Sequence, residues 1–162
     1  MKDINLSLLN IVSPYKVWKD SDGLHFITDN GIVYLAEFCE YDIELPAPAF
    51  WFNLYNLSAK ASPNDDKLHK TIVFIIESFF EKNPDILLYM CDSGNNQQEM
   101  RSRLFMRWFK KYGSARYIIR TATIIDENEP TYIAMIIQKN NPQSDAILKI
   151  FDEETNMFKE NK

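Results

Sequence analysis

The chain predicts an α+β fold: a mixed, mostly antiparallel sheet of about seven strands with two or three helices packed on it. Three observations carry that prediction. An apolar run over residues 86–91 ends at Asp92, crosses Ser93-Gly94-Asn95-Asn96, and resumes with helical spacing at Met100, Leu104, Phe105, Trp108, Phe109 and Tyr112. Because that run is apolar on both faces, it reads as the buried centre of a sheet. Upstream, short β-rich runs are separated by Ser21-Asp22-Gly23 and Asp29-Asn30-Gly31, and Asn-Gly between such runs is a strong hairpin signal. Downstream, residues 115–125 and 131–138 flank a polar turn at 126–130 and read as a long hairpin.

In chain order, residues 1–13 have apolar positions without a clean period and read as a loose lead or a short helix. Runs at 15–19, 24–28 and 32–39 give an antiparallel meander. Pro46 and Pro48 interrupt pairing. In 49–58, Phe50, Phe52 and Leu54 alternate with Trp51, Asn53 and Tyr55, the period of a fourth strand. Ser62-Pro63-Asn64-Asp65-Asp66 starts a helix, with acidic residues facing the positive end of its dipole. Its buried stripe is Leu68, Ile72, Ile75, Ile76 and Phe79, and Asn83-Pro84 ends it. After the central strand, the second helix and the hairpin, Ser144-Asp145 caps a last helix carrying Ile147, Leu148, Ile150 and Phe151. Residues 157–162 read as a frayed tail. The order is ββββαβαββα in a single domain over 1–162. With strands four and five parallel through a crossover helix, ligands would gather beyond their carboxyl ends.

A chain of 162 residues that is 46% hydrophobic can bury its own core. Its net charge of −5 argues against a polyanion partner, so nucleic acid is set aside. No apolar run approaches the roughly 20 residues of a spanning helix, which sets the membrane aside and gives a cytoplasmic reading. Cys39 and Cys91 have no metal or redox spacing, and in strand-like runs they act as small hydrophobes. No metal is expected: Cys39, Cys91, His25 and His69 lack ligand spacing, and His25 reads as a surface histidine. Cys91 has no histidine near it in sequence to make it a nucleophile. Four glycines and no phosphate-cradling motif leave no cofactor implied.

At about 100° per residue, Arg101, Gln97 and Gln98 fall inside the buried arc of the second helix. Asp92 closes the adjacent strand, which makes an Asp92–Arg101 pair sterically natural, with Gln97 completing the hydrogen bonding. Asp65 and His69 lie four apart in the opening turns of the first helix. Two readings fit this cluster of Asp65, His69, Asp92, Gln97 and Arg101: caps with a satisfied ion pair, or a small-ligand or catalytic pocket. A second feature is charge segregation. Seven basic residues and no acidic one lie between Met100 and Ile125, with Arg103, Arg107 and Lys110 on the outer helix face. They read as a solvated face offset by acidic segments such as 152–154, or as a surface for an acidic protein partner.

Two resemblances follow. Asp65-Asp66-Lys67-Leu68 with Thr71-Ile72, then Phe79-Phe80, Leu88-Tyr89-Met90-Cys91-Asp92, Gln98, Arg101, Leu104-Phe105, Trp108-Phe109 and Asn141-Pro142 resemble an uncharacterised family of small Bacteroidetes proteins classed as a domain of unknown function. That resemblance implies a bacterial protein and no particular activity. The order of elements is similar to the second part of the acetyl-CoA-dependent N-acyltransferase fold. It implies a cofactor pyrophosphate on a glycine-containing turn opening the first long helix. Here 57–70 has no glycine, and Asp65 and Asp66 would repel a pyrophosphate. The family's tyrosine position falls on Trp108 or Phe109. The leading function is therefore a non-enzymatic interaction or small-ligand-binding module, and the alternative is a diverged acyl-CoA N-acyltransferase-like enzyme.

Overall fold

The computed structural model of the chain describes residues 1–61, 63–92, 107, 109–111, 115–126 and 128–160. The elements are α1 (Leu6–Val12), β1 (Trp18–Asp20), β2 (Gly23–Ile27), β3 (Val33–Tyr41), β4 (Ala49–Asn56), α2 (Asp66–Lys82), β5 (Ile86–Asp92), β6 (Tyr117–Asp126), β7 (Glu129–Gln138) and α3 (Ser144–Glu160). Arg107 and residues 109–111 are helical as well, inside the predicted second helix. The strands follow the hydrogen-bonded order β1-β2-β3-β4-β5-β7-β6, so the fold is α+β with a mostly antiparallel sheet. The chain gathers into two compact units, Met1–Cys39 with Phe52–Asn83 and Glu40–Trp51 with Pro84–Lys162.

The first unit is a meander and a helix. The β1–β2 hairpin turns at Ser21-Asp22, with Asp20 opposite Gly23. Gly23 is required: its φ is +148°, and a Cβ there would meet the Ala36 carbonyl oxygen at 2.6 Å. The β2–β3 hairpin closes with Ile27 opposite Val33, and Gly31, at φ +75°, supplies its left-handed residue. Asp65 caps α2, and Asn83 ends it. Beyond the predicted stripe, Thr71, Val73 and Phe80 are also buried. The helix is covered on a second side, since the Thr71 hydroxyl oxygen accepts the Tyr15 backbone N–H at 3.3 Å. Phe79 is fully buried and stacks on Phe38 at 4.8 Å between centroids.

Of the two readings of residues 1–13, the short helix is the one found, and α1 is anchored. Asn5 caps it, Leu9 is 1% exposed, and the Asn10 amide exchanges two hydrogen bonds of 2.8 Å with the Val17 backbone. The Asn83 Oδ1 accepts the Lys2 backbone N–H at 2.8 Å, and its Nδ2 donates to the Lys2 carbonyl at 3.1 Å. These tethers are side chain to backbone, so hydrophobic periodicity does not register them.

In the second unit β7 lies between β5 and β6. It pairs antiparallel with both, from Leu87↔Ile136 to Asp92↔Thr131 and from Tyr117↔Gln138 to Asp126↔Glu129. Ala134, Met135, Ile136 and Ile137 are all buried, as strands covered on both faces require. The predicted five-residue turn is tighter, since residues 127 and 128 alone separate the paired Asp126 and Glu129. Asn128 takes φ 69°, a value asparagine tolerates. Pro130 lies past the last β5–β7 pair, so its missing N–H removes no bond to β5. The core joins Ile86, Leu88, Met135 and Ile137 to Ile147 and Phe151 of α3.

One expectation about α3 is corrected. The carbonyl of Gln143 accepts the Ile147 N–H at 2.9 Å, which puts Gln143 at the cap and Ser144 in the first turn. The Asn141 Oδ1 accepts the Gln143 N–H at 2.9 Å and sets this entry. The helix backbone runs to Glu160, and the sequence offers no Gly or Pro before that point to stop it.

Candidate functional site

Of the residues nominated from sequence, Asp65 and His69 stand together at the start of α2. The Asp65 carboxylate accepts the N–H groups of Lys67 and Leu68 at 2.9 and 3.2 Å, as an N-cap does. It also accepts the Tyr15 hydroxyl at 2.6 Å, and that hydroxyl oxygen accepts the Asp29 N–H at 3.2 Å. Burial, reinforced by the Asp65 hydrogen bond, pushes the Tyr15 pKa up to about 12. Lys67 bridges to Asp29 at 2.8 Å and sits 5.9 Å from the centre of the Tyr15 ring. Here Asp65 is spent on capping and cross-linking. His69 is 8% exposed, and burial lowers its pKa to about 4 against the opposing pull of Asp66 and Asp65.

Asp92 ends β5 opposite Thr131. Gln97, Arg101 and Arg103 lie outside the described residues, so the predicted Asp92–Arg101 pair does too. Arg107 and Lys110 are exposed. Arg120, from the same basic stretch, donates to Asp152 at 2.6 Å, the acidic segment expected to offset it.

The β1–β2 hairpin carries a second group, which sequence reasoning missed. Trp18 and Asp20 share one face of β1, and His25 stands directly opposite Trp18. The His25 Nε2 lies 2.8 Å from Asp22 Oδ1 and 3.7 Å from Asp20 Oδ2. Trp18 stacks on the imidazole at 5.7 Å and 16° and donates its Nε1–H to Asp20 at 3.3 Å. His25 is therefore 6% exposed, which corrects its reading as a surface histidine. The cause is local: a cross-strand tryptophan covers one side of the ring, and Leu35 of β3 is its partner on the other strand. The available signal was Trp18-x-Asp20-x-Asp22-Gly23-x-His25 folded across a two-residue turn.

Beside this hairpin lies a cavity of about 300 Å³, lined by Asp3, Lys19, Asp20, Asp22 and Glu37 with apolar Ile4, Leu24 and Phe38. Lys19 is already paired with Asp3 at 2.6 Å. Glu37 Oε1 accepts from Asn53 and Tyr55 at 3.1 and 3.0 Å. Cys39, read from sequence as a small hydrophobe, is exposed toward the end of β3. Its pKa is raised by local desolvation and by Glu37, which favours the protonated thiol.

Fold and site together define an α+β protein with an acidic cavity at a β-hairpin, and among the described residues no helix is long and apolar enough to cross a membrane. Residues 64–153 match the family of unknown function DUF6169, and the chain belongs to that family. The matched span takes in α2, β5, β6, β7 and the first part of α3, and leaves the hairpin outside it. No curated protein matches the chain.

Proposed function

We propose that the chain is a non-enzymatic module that binds a small cationic ligand, a protonated amine, in the cavity beside the β1–β2 hairpin. One observation carries this: the four carboxylates that line the cavity outnumber its cations, Lys19 and the Met1 amine, and Asp3 already holds that lysine. A volume of about 300 Å³ suits a ligand of a few heavy atoms, with Ile4, Leu24 and Phe38 packing on its methylenes. The cytoplasm is the setting that fits the exposed free thiol of Cys39.

The acyltransferase-like alternative is less well supported. It needs anion-binding N–H groups at the start of α2, and Asp65 occupies those of Lys67 and Leu68. Thermal unfolding with diamines and polyamines, in parallel with acetyl-CoA, tests the reading. Ligand at about 100 times its Kd stabilises by roughly 2.7 kcal/mol, a shift of several degrees. The expected result is a shift with an amine that Glu37→Gln diminishes, and none with acetyl-CoA. No shift with any amine at millimolar concentration, or a shift with acetyl-CoA, overturns the proposal.

A further inference from the structure

We propose that Asp20, Asp22 and His25 form a binding site for a divalent first-row transition cation. This stands apart from the amine reading, although Asp20 and Asp22 face the same cavity. The three ligand atoms lie within 4.8 Å of one another. Donors around one ion at about 2.1 Å stand roughly 3–3.5 Å apart, so a small inward movement of two exposed carboxylates closes the set. The group is more than an acidic cluster because its anchor is a buried imidazole.

The position of His25 Nε2 is the decisive point. A ring nitrogen carries at most one proton, which serves Asp22 at 2.8 Å, while Asp20 Oδ2, held by the Trp18 Nε1–H, stands 3.7 Å from the same nitrogen. The second distance is too long for a hydrogen bond. A cation in place of the proton engages both, and its two positive charges offset the two carboxylates.

The surroundings are those of a metal site. Trp18 fixes the ring plane by stacking and holds Asp20 through its Nε1–H, the outer support that orients metal ligands. A set of one nitrogen and two carboxylates selects zinc, manganese, iron(II) or cobalt over calcium and magnesium, which prefer oxygen alone. Because the Asp20 and Asp22 side chains are 60% and 53% exposed, solvent positions on the ion stay open.

The test uses the full chain after treatment with a chelator. Cobalt(II) is titrated by visible absorption and calorimetry, then displaced with zinc, magnesium or calcium. The expected result is one cobalt(II) per chain, displaced by zinc and not by magnesium or calcium. Asp20→Asn and Asp22→Asn, both at exposed side chains, each weaken binding at least tenfold while leaving the melting curve of the metal-free chain in place. Trp18→Phe keeps a ring over His25 but removes the outer hydrogen bond, and weakens binding by about 10- to 100-fold. Absence of cobalt binding at millimolar metal, or affinity unchanged in both aspartate variants, overturns the proposal. Its failure leaves amine binding, measured without metal, untouched.

Discussion

In the first unit, polar side chains tie one element to another: Tyr15 to Asp65, Asn10 to Val17, Asn83 to Lys2 and Ser58 to Val33. In the second, the described residues are held chiefly by a ten-residue hairpin ladder and an aliphatic core of Ile86, Leu88, Ile137 and Ile147. The contrast separates two ways of specifying a fold. Hydrophobic pattern and turn chemistry account for the hairpin, whereas the meander unit adds to its buried apolar core individual polar atoms that reach particular partners. The candidate chemistry also lies in the polar unit, where a side chain can be orientated without joining a core.

The largest expected effect tests whether the first unit nonetheless needs its aromatic centre. Phe79→Ala, at a fully buried ring stacked on Phe38, should cost about 3–5 kcal/mol in urea unfolding. A loss below about 1 kcal/mol would mean that the polar ties alone hold this unit.

The next effect sharpens the contrast through pH. Folded His69 stays neutral down to about pH 4, while the unfolded imidazole takes up its proton near 6.5. Between those values the unfolded state binds more protons, so stability falls as pH falls, by on the order of 2–3 kcal/mol across the window. Comparison with His69→Gln from pH 7 to 4.5 isolates this contribution from the carboxylates. Parallel stability profiles for the two proteins would show that His69 does not carry it.

The smallest effect belongs to the second unit. Arg120 and Asp152 are 42% and 45% exposed, so their pair should be worth less than about 1 kcal/mol in a double-mutant cycle and should weaken in salt. A salt-insensitive coupling of 2 kcal/mol or more would place the second unit's polar contacts on a par with the first's.

Legibility in the sequence follows the same division. The central strand, both downstream strands, the meander and the stripe of α2 were readable because each announces itself by period, by Gly or Pro punctuation, or by a cap. His69 was placed correctly on α2 and Asp65 at its start, but only the partner Tyr15, 50 positions away, shows what else Asp65 does. The anchoring of residues 1–13 and the burial of His25 were not readable. Asn10, Asn83 and Trp18 act through atoms whose targets depend on the folded path, and no periodicity encodes that path. Gln143 took the cap expected of Ser144 for a related reason: the Asn141 side chain folds the preceding turn.

The pairing of Asn83 with Lys2 has a consequence for the order in which the protein is built. The two residues are separated by 81 positions, so this clasp closes only after all of α2 has been synthesised. Before that, the leading helix has only its local tie, the Asn10 side chain on the Val17 backbone. A contact between residues 81 positions apart costs loop-closure entropy and raises the contact order of the first unit, the property that sets slow folding apart from fast.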